Sequence, residues 1–170
     1  IVKETCLPVV VYNVIQINQI RPEVMLRLTE IDGVIGIKQS AGGIHTLVEM
    51  IRICGDKTLV FSAQDDLLYL SYLQGAKGAI SAILSVFPEL CVQQWQAVQS
   101  GDLVLAKNIQ DRILPVWRQI EGNSFPGKLK AALSILGRPV GKARKPIPEP
   151  SLQEIQALRE NMIQSGFVDK

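Results

Sequence analysis

Short apolar runs and helical periods take turns along the first half of the chain, and this alternation constrains the fold more than any other feature. Leu7-Pro8-Val9-Val10-Val11-Tyr12 is a β-branched run that suits a buried strand better than a helix. Arg21 to Thr29 follows at helical spacing, with Val24, Leu28 and Ile31 on one stripe and Pro22 suited to a first helical turn. Gly33 closes that unit, and Val34-Ile35-Gly36-Ile37-Lys38 reads as a second strand. Ile44 to Cys54 reads as a second helix with Leu47, Met50, Ile51 and Cys54 apolar, ending at Gly55. Leu59-Val60-Phe61-Ser62 is a third strand, Asp66 to Gln74 a third helix ended by Gly75, and Gly78-Ala79-Ile80-Ser81 a short fourth strand. Strands that alternate with helices pair in parallel through right-handed crossovers. Nearly continuous apolar strands expect cover on both faces.

From Pro88 onward the strands stop. Glu89 to Ser100, Leu103 to Gln119, Lys128 to Leu136 and Leu152 to Gln164 all read as helices, with Trp95 and Trp117 on apolar stripes expected in the core. Gly137 to Pro150, rich in basic residues and proline, reads as a solvated extended connector; a site for phosphate or an acidic partner is the other reading. Ser151 fits an N-cap, with Glu154 at the capping-box position. Four parallel strands belong either to an open doubly wound sheet or to part of a (β/α)8 barrel. No glycine follows the first strand in Tyr12-Asn13-Val14-Ile15, which counts against a dinucleotide-binding sheet. A full barrel needs about 250 residues, more than this chain of 170 supplies with its helical tail.

Composition narrows the function. With 47% hydrophobic and 20% charged residues the chain is ordinary globular protein. A formal charge of +2 and 5% aromatics argue against nucleic acid as a partner. The apolar runs fall short of the roughly 20 residues of a membrane span. Cys6, Cys54 and Cys91 are an odd set at wide spacings, expected as buried thiols in a reducing, cytoplasmic compartment. His45 is the sole histidine, with no carboxylate cluster beside it, so no metal site is expected; it suits the exposed start of a helix. A chain that starts Ile1-Val2-Lys3 and enters an apolar strand almost at once has neither an initiator Met nor a secretory signal, and is expected to be cut from a larger protein.

Lys38 draws the chemistry. It ends an apolar strand and precedes a polar, glycine-containing loop, Gln39-Ser40-Ala41-Gly42-Gly43. In a barrel the C-terminal strand ends carry the active site. A lysine desolvated there loses its ammonium form more readily, and the neutral amine can attack a ketone to form a Schiff base. The other reading is a lysine that snorkels to water. Tyr12 ends the preceding strand in the matching place; with strands about 4.8 Å apart, it can converge with Lys38 and relay protons, or serve as an amphipathic cap on the core.

Tyr12-Asn13, Gly36-Ile37-Lys38-Gln39-Ser40-Ala41-Gly42, Gln64-Asp65-Asp66 with Leu70, and Gly75-Ala76-Lys77-Gly78-Ala79-Ile80-Ser81, taken in order, resemble the dihydrodipicolinate synthase and N-acetylneuraminate lyase family of class I aldolases. The resemblance extends through Pro126 to Leu136 and Arg144-Lys145-Pro146. It implies an α/β fold, strands five to eight of a (β/α)8 barrel plus a helical C-terminal region: an incomplete barrel. Residues 1–87 would be the second half of the barrel, and 88–170 the last barrel helix and the helical region. Val10, Val34 and Val60 would line the inner face of that half. The implied activity is condensation or cleavage of a 2-oxo acid, usually pyruvate, with an aldehyde through an imine on Lys38. Tyr12 would shuttle the proton, the backbone around Ile80 would border pyruvate, and Ser40, Asp65 and Asp66 would lie near the rest of the substrate. No metal or organic cofactor is implied, and a homo-oligomer, dimer or tetramer, is expected.

Some residues depart from the family pattern. Val14-Ile15 stands where the family usually has proline after Tyr-Asn, and Gln16-Ile17-Asn18-Gln19 where dihydrodipicolinate synthases carry an arginine. Without it, a second carboxylate on an aldehyde loses its bidentate partner, which weighs against dihydrodipicolinate synthesis itself. Ala63 replaces a glycine common before the acidic pair. The family's early glycine- and threonine-rich loop, which holds the substrate carboxylate, has no counterpart here. The alternative to an enzyme is a catalytically silent relative that binds a small oxo acid or serves as an oligomerisation partner.

Overall fold

A computed structural model describes residues 1–169 of the chain, and they form two compact units. The first comprises Ile1–Ser81 with Val98–Ser100, and the second Ala82–Ala97 and the chain from Gly101 onward.

In the first unit the anticipated strands form one parallel sheet. They are β1 (Val9–Asn13), β2 (Val34–Gln39), β3 (Leu59–Ser62) and β4 (Gly78–Ala79), in the spatial order β1-β2-β3-β4. Spatial order follows chain order throughout. Among the described residues there is no switch point at which the crossovers reverse, and so no crevice there of the kind that doubly wound sheets use for nucleotides. Helices α2 (Pro22–Leu28), α3 (Gly43–Cys54) and α4 (Leu68–Leu73) connect the strands, and a single turn, α1 (Val2–Thr5), precedes them.

One side of the sheet is covered by a continuous core of Met25 from α2, Leu47, Met50 and Cys54 from α3, and Ile37 and Val60 from the strands. Met25 rather than Val24 takes the fully buried position of α2, and Ile31 is 46% exposed. The reason is length: α2 ends at Leu28, so Ile31 lies beyond the helix and off its stripe. The Cys54 thiol lies 3.5 Å from the Pro22 carbonyl inside the core, and burial pushes its pKa up, as suits a packing residue. Cys91 is buried too, but Cys6 is exposed, contrary to the expectation of three buried thiols, because it follows a helix of one turn that buries nothing. Truncating the centre of this core, Leu47→Ala, is expected to cost about 2–5 kcal/mol, read as a lowered denaturant midpoint at unchanged slope.

The other side of the sheet is open. Val10, Tyr12 and Leu59 are 36%, 66% and 41% exposed. Side chains alternate along strands, and the register aligns Val10 with Gly36 and Leu59, then Tyr12 with Lys38, Phe61 and Gly78. Of the valines expected on this side Val10 is there and Val60 is not. Val60 is 1% exposed in the helix-facing core. In Leu59-Val60-Phe61-Ser62 every second residue on either face is apolar or small, so the parity of β3 shows only in its pairing. Gly36 is required by this packing: a Cβ there would stand 2.8 Å from the Leu59 carbonyl oxygen and 3.2 Å from the Phe61 ring.

The second unit is helical: α5 (Ile83–Val86), α6 (Pro88–Ser100) up to Ala97, α7 (Leu103–Ile120), α8 (Gly127–Ile135) and α9 (Leu152–Gln164). Asp102 caps α7 through the Leu105 N–H. Trp117 is buried, with an edge contact to Phe125 at 6.1 Å between ring centroids. Trp95 is only half-buried, because Gln94 takes the fully buried position and donates to the Ala106 carbonyl and to Gln110. Ser151 and Glu154 form the anticipated capping box of α9. The segment 137–150 is largely exposed and contains neither helix nor strand. Arg138 at its start donates to the Ser85 and Val86 carbonyls, satisfying orphan groups at the end of α5. Among the described residues, no helix is long and apolar enough to cross a membrane.

Candidate active site

The parallel register places Tyr12 directly opposite Lys38 at the C-terminal ends of β1 and β2. Their side chains meet on the open face: Lys38 Nζ lies 3.4 Å from the Tyr12 hydroxyl and 4.6 Å from the centroid of its ring. This is wider than the roughly 2.6–3.2 Å of a tight general-base hydrogen bond, as is common before a substrate draws such groups together. The ammonium over the ring also gains a cation–π attraction, which holds the flexible lysine stem against the tyrosine.

The other expected site residues line the same edge of the sheet. Ser40 follows Lys38 by two residues and is partly buried; its N–H donates to the Asn13 carbonyl, and its carbonyl accepts from Gln64 Nε2 at 3.0 Å. Asp65 and Asp66 sit, partly buried, in the loop after β3. Ile80 lies just beyond β4 and is 42% exposed. Its N–H is committed to the Ser62 carbonyl at 2.8 Å. Tyr12 and Lys38 are in direct contact, and Ser40, Asp65, Asp66 and Ile80 follow the C-terminal ends of β2, β3 and β4. His45 is exposed in the first turn of α3. Among the described residues no group of three His, Cys, Asp or Glu side chains could hold a metal ion.

A row of amides behind and beside the pair escaped the sequence reading. Asn13 and Gln39, the next residues after Tyr12 and Lys38, are 2% and 0% exposed, and their side chains are hydrogen-bonded at 2.8 Å. Gln16 Oε1 accepts from the Gly42 N–H at 3.0 Å, joining the loop after β1 to the loop after β2. The signal available in the sequence was a polar side chain on the helix-facing parity of a strand, where only a hydrogen-bonded partner makes burial tolerable.

The arrangement is an amine and a phenol in contact at the C-terminal end of a parallel sheet, with two carboxylates and several amides around them. Such a set can carry out nucleophilic attack by the amine and proton exchange by the phenol.

Comparison with known proteins identifies the family. A model of the Dihydrodipicolinate synthetase family matches residues 1–165. The 4-hydroxy-tetrahydrodipicolinate synthase of Archaeoglobus fulgidus is 32% identical over 162 residues, covering 94% of this chain and 56% of that protein. The crystal structure of a dihydrodipicolinate synthase from Bacillus anthracis matches with a TM-score of 0.86 at 30% identity, over 94% of this chain and 56% of that one. YagE, a prophage protein of the dihydrodipicolinic acid synthase family from E. coli K12 in complex with pyruvate, matches with a TM-score of 0.89 at 25% identity, over 97% of this chain and 58% of that one. The chain thus spans about half the length of the relatives it matches. With a family match across nearly all its residues and a parallel α/β sheet shared with solved members, this chain belongs to the dihydrodipicolinate synthetase family.

Proposed function

We propose that these residues are strands five to eight and the C-terminal helices of a (β/α)8 aldolase that condenses or cleaves a 2-oxo acid, pyruvate, with an aldehyde through a Schiff base on Lys38. The contact between Lys38 Nζ and the Tyr12 hydroxyl at the C-terminal strand ends carries the reading. The family match and the pyruvate-bound state of one similar structure support it.

In condensation, the neutral Lys38 amine attacks C2 of the oxo acid to give a carbinolamine, and uptake of a proton by its hydroxyl with loss of water leaves a protonated imine. That cation draws electrons from C3, a C3 proton departs and an enamine forms. Its C3 attacks the aldehyde carbon, whose oxygen takes up a proton, and water hydrolyses the imine to free the product and the amine. Tyr12, in reach of Nζ, moves the proton at the carbon centre and at the new hydroxyl. Ser40, Asp65, Asp66 and Ile80 border the substrate, and the protonated imine serves as the electron sink in place of a cofactor. The loop after Tyr12 carries no cation from Val14 to Ile20 and leaves Ile17 98% exposed, which suits an aldehyde without a second carboxylate. The same loop favours the second reading, a silent relative that binds an oxo acid without turnover.

Borohydride trapping with pyruvate separates the two. An active protein gains the mass of a reduced pyruvate imine on Lys38; a silent one stays unmodified. Tyr12→Phe keeps the ring against the lysine stem and removes only the hydroxyl. It is expected to lower kcat by about 10²–10⁴-fold, the usual worth of a general acid–base group. A kcat within about threefold of the parent would reduce Tyr12 to packing.

A further inference from the structure

We propose that Asn13 and Gln39 act as a positioning pair for Tyr12 and Lys38, an inference that rests on the imine reading above. Each follows one of the site residues in its strand, and the register pairs Asn13 with Gln39 as it pairs Tyr12 with Lys38. Alternation sends the two amides to the covered face of the sheet while the phenol and amine stand on the open face. Both amides are essentially without solvent exposure.

Their bonds tie the ends of both strands to both adjoining loops. Asn13 Nδ2 donates to Gln39 Oε1 at 2.8 Å and to the Ile20 carbonyl at 3.0 Å, while Asn13 Oδ1 accepts from the Ile20 N–H at 2.9 Å. Asn13 therefore closes the loop of residues 14–19 at its base. Gln39 Nε2 donates to the Ala41 carbonyl at 2.6 Å, and the Asn13 carbonyl accepts from the Ser40 and Ala41 N–H groups. A buried amide that loses its partner carries its full desolvation cost, so these groups keep their bonds and the two strand ends move as one body. The distance from Nζ to the hydroxyl is the quantity this body sets. A misplacement of about 1 Å at a reacting group costs on the order of 10²-fold in rate.

The test uses the protein carrying the whole barrel, with three variants. Gln39→Met keeps length and burial but removes both side-chain bonds. Gln39→Glu keeps an acceptor for Asn13 Nδ2 and so keeps the tie between strands. Tyr12→Phe reports the loss of the phenol alone. Imine formation is read from borohydride labelling by pyruvate, proton transfer from solvent deuterium entering C3 of pyruvate, and folding from the unfolding temperature. Gln39→Met is expected to lower kcat and C3 exchange by about 10- to 100-fold, with KM for pyruvate within a few-fold of the parent, and Gln39→Glu to recover most of that loss. Combining Gln39→Met with Tyr12→Phe is expected to cost less than the product of the single effects, because the phenol is already displaced. A labelled parent with unchanged kcat and exchange in Gln39→Met, or a lowered unfolding temperature as its only effect, overturns the positioning role and leaves the imine reading standing. A parent that pyruvate and borohydride do not label overturns both.

Discussion

Lys38→Arg is expected to abolish pyruvate labelling and to lower turnover by on the order of 10⁴-fold or more, the scale seen when a covalent nucleophile is removed. The substitution keeps a positive charge and a long stem at the same position, so the contact with the Tyr12 ring survives in kind. It removes the one thing that imine chemistry needs: an amine that can shed its proton. A guanidinium stays protonated at any working pH, and its nitrogens are delocalised, so it does not add to a ketone. Lys38 is half-buried at a strand end and outside the apolar core, so the unfolding temperature should move little. The measurement is the mass of the intact protein after borohydride with pyruvate, with peptide mapping to locate the adduct. An adduct that persists in Lys38→Arg moves the imine to another lysine and dismantles the site described here.

The contact between Tyr12 and Lys38 could be anticipated because it depends on short-range rules. Two apolar runs of strand length, each ending in a chemically distinctive side chain, align those ends once the strands are parallel neighbours. The sheet itself was accessible for the same reason, since β-branched runs and helical periods alternate without interruption. Face assignment was less accessible. Val60 and Phe61 are both apolar, and only the pairing of Lys38 with Phe61 shows that the ring faces the open side and Val60 the helices. The single turns α1 and α5 are too short to carry a period. The amide pair was out of reach for another reason. Asn13 and Gln39 lie 26 residues apart, and a polar residue at a strand end looks like the start of a loop. Its burial becomes intelligible only beside its partner. Sequence reasoning therefore finds the residues that do the chemistry more readily than those that hold them in place, because chemical character is local and a hydrogen-bond partner is not.

Produced as these 170 residues alone, the chain is expected to self-associate and to show no aldolase turnover. The expectation follows from the half-barrel reading together with the surface the sheet leaves open. Val10, Leu59 and the Tyr12 ring are exposed on the face opposite the helices. Apolar area left in water forgoes about 25 cal/mol per Å², so covering this face with another copy is favoured. The outer edges of β1 and β4 have no strand partner among the described residues, and unpaired edges recruit other chains. Self-association would satisfy the face and the edges without rebuilding a site. On the family resemblance, the loop that holds the substrate carboxylate belongs to the other half of the barrel, and a copy of this half does not bring it. Pyruvate would then meet Lys38 with no partner for its carboxylate and no walls to exclude water, and the orientation that makes an imine form quickly would be lost. Adding the first four strands, in one polypeptide or as a separate chain, should restore a defined oligomer and pyruvate labelling together. Sedimentation and mass spectrometry decide it. A monomer at micromolar concentration that unfolds in one sharp transition and cleaves a 4-hydroxy-2-oxo acid would show that four strands suffice, and would end the half-barrel reading.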